Sequence, residues 1–231
     1  MKRFFMFVIA LACMCSCSKN DEPAVVVTPP DGTVFSKSFI QIFVVPEEIR
    51  AYPLMKNYLQ VEFEGDRLNG VKEDVREEFD ALCAEYGDMS YNDKIVPYST
   101  VAVGVDCQAI DVVCDRAVDA DHPAGSSLAD VVKICAVSFR EYIESGYVTS
   151  PGAGDFPAEF EGGQYNGKGA AALFKPLNEV TAEDLRLIEA NFRLLFPEGL
   201  AVENLPVTVT VRTENDSWST KAVVNAPPEA E

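Results

Sequence analysis

The sequence predicts a single α+β domain, a largely antiparallel sheet with about three helices. Three observations lead there. Apolar residues alternate with polar ones at a period of two in several short segments. They recur at helical spacing in three others. The two kinds of segment do not follow one another in the regular strand–helix–strand series of a doubly wound sheet. The chain has 231 residues, of which 48% are hydrophobic and 24% charged. That is the composition of a globular domain and excludes a disordered chain or a multi-span membrane protein.

The first element is a leader. Lys2 and Arg3 precede the apolar run from Phe4 to Met14, and small residues and cysteines follow, the three regions of an export signal. The run is shorter than the roughly 20 apolar residues that cross a bilayer. It ends in Ser16-Cys17, and Ser18-Lys19-Asn20-Asp21-Glu22 comes next. This junction resembles a lipoprotein cleavage site, with Met14 standing where Leu is commoner. The lysine-plus-acid run is similar to the tag behind the acylated cysteine in surface-exported lipoproteins of the Bacteroidota. The resemblance implies a signal peptide over residues 1–16, a lipid on Cys17, and an outer-membrane anchor with the domain facing the periplasm or the cell surface. It carries no information about chemistry. Residues 17–32, with Pro23, Pro29, Pro30 and Gly32, read as an extended lipidated tether. The domain spans 33–226, and 227–231 form a frayed tail.

Within the domain, Val34 to Val45 and Tyr98 to Val105 are rich in Val, Ile and Phe and read as strands. Leu59, Val61 and Phe63 alternate with Gln60, Glu62 and Glu64, the pattern of a half-buried strand. Val71, Val75, Phe79, Leu82, Cys83 and Tyr86 recur at helical spacing before Gly87, a helix with its stop. Ser127 and Asp130 form a capping-box pattern ahead of Leu128, Val131, Val132, Cys135, Phe139 and Tyr142, which predicts a second helix closed by Gly146. Thr181 and Asp184 repeat the pattern before Leu185, Ile188, Phe192 and Leu195, a third helix ended by Pro197. Residues 147–180 show no period and read as a long glycine-rich loop. Val207, Val209 and Val211, then Trp218, Thr220, Ala222 and Val224, flank Glu214-Asn215-Asp216, a hairpin with a loop longer than two residues.

Charge narrows the partners. The net charge of -18 repels phosphate backbones and anionic headgroups, so nucleic acid is not expected as a partner. Loss of the leader removes Lys2 and Arg3 and no acid, so the acyl chain alone must hold the membrane.

Candidate chemistry is sparse. Cys83, Cys107, Cys114 and Cys135 follow the anchor. In an oxidising compartment four thiols suggest two disulfides. The alternative is four reduced core residues, because free cysteine packs as a small hydrophobe. On an uninterrupted strand Cys107 and Cys114 would lie about 23 Å apart on opposite faces, so their pairing requires a turn between them. His122 is the one histidine, set in turn-forming residues with no nucleophile motif nearby, and reads as a turn residue. Asp115, Asp119 and Asp121 miss the calcium-loop pattern at Pro123 and read as a solvated face; no metal and no cofactor is expected. Gly162 to Gly169 lacks the hydroxyl and the following helix of a phosphate loop. The aromatics Phe156, Phe160, Tyr165 and Phe174, with Tyr147, are the remaining binding candidates, either stacking on a sugar or protein partner or pinning the loop to the core.

These features point to a lipid-anchored, non-enzymatic module that binds a glycan or a protein. The alternatives are an extracellular hydrolase working through carboxylates and a structural subunit of an envelope assembly.

Overall fold

The structure, a computed structural model, describes residues 37–91, 100–148, 171–198, 200 and 203–225. The leader, Cys17, the tether and the tail lie outside them. Two sheets carry the described chain. The larger contains β1 (Ile42–Met55), β2 (Tyr58–Asn69), β3 (Val101–Val103), β5 (Lys133–Ser138), β6 (Ala171–Pro176) and β7 (Asn191–Leu195), in the order β3-β1-β2-β7-β5-β6. The smaller contains β4 (Cys107–Cys114), β8 (Leu205–Thr213) and β9 (Ser217–Val224), in the order β4-β8-β9. Among the described strands only β1 and β3 pair in parallel; the other pairings are antiparallel.

Alternation along the strands sorts side chains into two cores. Leu59, Val61, Phe192, Leu194 and Ile134 of the larger sheet meet Ile110, Val112, Val207, Val209 and Val211 of the smaller one. Residues of opposite parity, Phe43, Leu68 and Val137, enter a second cluster rich in aromatic rings. Two helices, α1 (Arg76–Glu85) and α2 (Arg140–Glu144), cover that side with Phe79, Cys83, Tyr142 and Ile143. The molecule is therefore a three-layer α+β domain: small sheet, large sheet, helices.

The β1–β2 hairpin is bent at a register shift between Pro46 and Glu48. Gly65 sits opposite, where a Cβ would lie 2.1 Å from the Val45 carbonyl oxygen, so only glycine allows the backbones to approach this closely. Beyond the bend β1 packs against β9. Asn57 and Asn225 close that corner: the Asn57 N–H donates to Asn225 Oδ1 at 2.6 Å and Asn225 Nδ2 donates to Asn57 Oδ1 at 3.0 Å.

The C-terminal hairpin has the expected form, with Val211 opposite Trp218. The helix count is a correction: two helices are present among the described residues, not three. The segment expected as the second helix is β5 followed by the single turn of α2, and the segment expected as the third is a turn followed by β7. The expected loop 147–180 contains β6 and a 3-10 turn over Leu177–Glu179.

Candidate functional site

Both helices stop in the same way, and their stops build the floor of the site. After α1, Gly87 adopts φ +73°; its N–H donates to Ala84 O at 3.2 Å, and the Asp88 N–H donates to Cys83 O at 2.8 Å. After α2, Gly146 adopts φ +69°; its N–H donates to Ile143 O at 3.0 Å, and the Tyr147 N–H donates to Tyr142 O at 2.8 Å. These bond pairs form the Schellman stop, in which a left-handed glycine satisfies the last carbonyls. The residues that follow the two glycines then meet, the Tyr147 hydroxyl donating to Asp88 Oδ1 at 2.8 Å.

Asp88 is fully buried. Besides Tyr147, it accepts the Phe39 N–H on Oδ1 at 2.8 Å and the Ile40 N–H on Oδ2 at 2.7 Å. One carboxylate thus fastens the N-terminal segment and both helix ends. Burial pushes its carboxyl above the usual carboxylate range, while the three donors pull it back down. The Tyr147 hydroxyl is raised by burial and by the neighbouring Asp88 charge. Tyr147 also holds φ +64°, a conformation bulky side chains avoid, within a ring cluster of Tyr91 and Tyr142.

Beside this floor a groove of about 620 Å³ runs between the N-terminal segment, the turn after β2 and α1. Its polar lining includes Lys37, Gln41, Asn69, Arg76, Asp80 and Asp88. Its apolar rim carries Val71, 86% exposed, and the half-exposed Met89. Arg76 bonds Asp80 through Nε at 2.9 Å and donates from Nη1 to Gly70 O at 2.5 Å, which holds the turn against the helix. Cys83 also lines the groove, but burial, with the Asp88 charge beside it, pushes its thiol up to about 12. A thiol so raised is not a nucleophile near neutral pH.

The residues singled out in the sequence are dispersed. Cys83, Cys107, Cys114 and Cys135 are each buried, and the structure holds them as free thiols. Cys107 and Cys114 occupy opposite ends of β4. A register shift between Cys107 and Ala109 lets both enter the same core, contrary to the opposite faces expected of an uninterrupted strand. His122 is a buried turn residue whose ring nitrogens meet Asp119 and Asp130, not a nucleophile. Asp115 turns away to Thr208 and Lys221, so Asp115, Asp119 and Asp121 do not converge; among the described residues no group of metal-ligating side chains gathers. Tyr147 is pinned in the aromatic core. Phe174 lies on β6 with the Lys133 ammonium 5.1 Å from its ring centre. Phe156, Phe160 and Tyr165 lie outside the described residues.

Sequence reasoning missed Asp88 and the groove. The signal was the pair of helix-stopping glycines, Gly87 and Gly146, each followed by a side chain able to hydrogen-bond. No described helix is long and apolar enough to cross a membrane. Compared with protein-family models, curated proteins and solved structures, the chain matches none.

Proposed function

We propose that the chain is a lipid-anchored envelope protein whose domain binds a partner rather than catalysing a reaction, with the groove beside α1 as its ligand site. The observation that supports this is the state of the groove's polar groups. Its volume, about 620 Å³, is in the small-ligand range of roughly 300–1,000 Å³. The Gln41 amide, the Asn69 NH2 group, the Lys37 ammonium and the Arg76 N–H groups not bonded to Asp80 and Gly70 offer directional bonds beside an apolar rim, a combination suited to a short glycan. No nucleophile is paired with a base there: the Cys83 thiol is raised and Asp80 is tied to Arg76.

The hydrolase alternative requires two carboxyl groups facing across a cleft, one of them free to give a proton. Asp88 has the raised carboxyl that such an acid needs, but both its oxygens are committed to Phe39, Ile40 and Tyr147. Removing it from those donors would unfasten the fold.

The test has two arms. Cys17→Ala should move the protein from the membrane fraction to the soluble one; retention in the membrane defeats the anchor. Calorimetric titration with short neutral xylo-, malto- and cello-oligosaccharides should give binding that Asn69→Ala and Arg76→Ala weaken by roughly tenfold, one or two lost hydrogen bonds. Absence of binding, or binding indifferent to both substitutions, removes the groove as the site. Cleavage of an oligosaccharide that disappears in Asp80→Asn would make the protein an enzyme.

A further inference from the structure

We propose that His122 is a pH-sensitive clasp: its doubly protonated ring cinches the segment that seals the outer edge of β4, and loss of one ring proton lets that segment lift. This inference is independent of the groove and of the anchor.

The sealed edge comes first. β4 pairs with β8 along one side. Along the other, residues 123–128 turn back over it. The Gly125 N–H donates to Cys114 O at 2.7 Å, the Cys114 N–H donates to Ser126 O at 3.1 Å, and the Leu128 N–H donates to Val112 O at 2.7 Å. Val113 faces Ser127 in an isolated antiparallel bridge. These residues belong to no strand, yet they occupy the main-chain groups that an open edge would present to another chain.

The two ends of this cover are joined through one imidazole. His122 immediately precedes it and Asp130 follows it. His122 Nδ1 lies 2.8 Å from Asp119 Oδ1, and Nε2 lies 3.2 Å from both oxygens of Asp130. Asp119 is held on the histidine's own turn, its Oδ1 also accepting the N–H groups of Asp121 at 2.9 Å and His122 at 2.8 Å. Asp130 is the detachable arm, with its side chain 57% exposed.

Imidazole chemistry dictates the switch. A ring between two carboxylates needs a proton on each nitrogen to bond both, and the neutral ring has only one. Once neutral, it keeps its N–H toward one carboxylate and turns a lone pair toward the other. The charged groups facing the ring are Asp119, from its own turn, and Asp130, from the far end of the cover, and both favour the cation. The ring itself is little exposed while the Asp130 side chain is open to solvent, so the carboxylate that a neutral ring no longer bonds is released to water. The histidine's folded pKa is raised above its ordinary value and that of Asp119 is lowered. For a group raised on folding, the contribution to stability is complete below the unfolded value, about 6.5, and is lost as pH climbs through the folded value. The clasp therefore loosens as pH climbs from about 6.5 through the histidine's raised folded value.

His122 is the sole histidine of the chain, so its ring nitrogens can be followed by NMR in the full-length protein without assignment ambiguity. Amide hydrogen exchange, expressed as protection factors to remove the intrinsic pH dependence, reads the cover. The expected result is a ring protonated on both nitrogens at about pH 6. Protection at Gly125 and Leu128 should fall roughly tenfold or more by about pH 9, with a midpoint that tracks the histidine, while Phe192 and Val209 stay protected. His122→Gln should show the low protection at both pH values. Asp130→Asn, an exposed substitution that leaves the fold in place, should lower the histidine's midpoint and reduce protection of the cover at about pH 6 severalfold. The proposal is overturned if the histidine titrates at or below its ordinary value, if Gly125 and Leu128 keep constant protection while it titrates, or if Asp130→Asn leaves both midpoint and protection unchanged.

Discussion

Removing the Asp88 carboxylate should loosen the N-terminal segment and both helix ends together. The side chain accepts three hydrogen bonds, at 2.8, 2.7 and 2.8 Å from the Phe39 N–H, the Ile40 N–H and the Tyr147 hydroxyl. Bonds to an ionised acceptor are worth about 1.5–3 kcal/mol each, and a buried donor left alone costs about 1–3 kcal/mol. Against this stands the cost of keeping a carboxylate out of water, which the raised carboxyl pKa records. Asp88 also borders the groove, so water can reach some of the orphaned donors after truncation. The balance for Asp88→Ala is a loss of about 3–5 kcal/mol, or roughly 6–20 °C in Tm for a domain of this size. Asp88→Asn should fall between wild type and alanine, because its NH2 group must face at least one N–H donor. Chemical denaturation of the purified protein gives the difference, and amide exchange at Phe39 and Ile40 locates it. A loss below about 1 kcal/mol for alanine, with Phe39 and Ile40 still protected, would refute the fastening role.

Three further outcomes follow from the same geometry. Cys83, Cys107 and Cys135, each pushed up to about 12 chiefly by burial, should resist alkylation near pH 8 in the native protein and react in denaturant, as site-mapped mass spectrometry would show. Gly87→Ala should cost about 1–2 kcal/mol by calorimetry, since φ is +73° while no atom lies within 4 Å of the new Cβ, so the penalty is conformational alone. Leu194→Ala, at a fully buried strand position, should cost about 2–5 kcal/mol, and Leu195→Ala, half-buried on the other face, less than about 1.5 kcal/mol; the reverse order would favour a helix there.

That last pair shows where sequence periodicity went astray. The expected helix aligned Phe192 with Leu195, three apart, whereas the strand buries Phe192 and Leu194, two apart. The local signal was nevertheless sound. Asp184 Oδ2 accepts the Thr181 N–H at 2.7 Å, and the Asp184 N–H donates back to Thr181 Oγ1 at 3.3 Å, the reciprocal bonds of a capping box. The Leu185 N–H donates to Ala182 O at 3.1 Å, so one turn forms. Leu187 then takes φ +52°, which breaks the helical path, and the chain pairs with β2 and β5. A cap specifies how a helix begins; its continuation depends on which partner the following apolar residues can reach. Residues 133–138 failed for a different reason. β5 lies between β7 and β6, paired on both sides, and Ile134, Cys135, Ala136 and Val137 are buried on both faces, so the two-residue alternation that marks a one-sided strand is absent. Its neighbours Val132 and Phe139 completed a helical spacing by coincidence. β8 and β9 were legible because each turns polar residues outward between apolar ones, and β2 because Glu62 and Glu64 flank the buried Phe63, although Gln60 is itself buried against Asn191 and Arg193.

The same distinction explains why the candidate site was hidden. The glycine stops could be read from sequence because a left-handed C-terminal residue is a local requirement. That the residues after them face each other is a consequence of α1 and α2 covering one side of the larger sheet, a long-range arrangement between Asp88 and Tyr147. Here both stops project their next residue inward, and the buried carboxylate is satisfied because Phe39 and Ile40 arrive from before β1 with their N–H groups aimed at it. The groove then lies beside a fastening point whose three donors come from two distant parts of the chain, Phe39 with Ile40 and Tyr147. A ligand that contacts Lys37 or Gln41 would press on the segment Asp88 holds, so groove occupancy and exchange at Phe39 and Ile40 should be coupled: ligand binding slows exchange there, and Asp88→Asn, which loosens the segment, weakens the ligand. Equal affinity in Asp88→Asn and wild type, with exchange at Phe39 and Ile40 unaffected by ligand, would separate the groove from its floor.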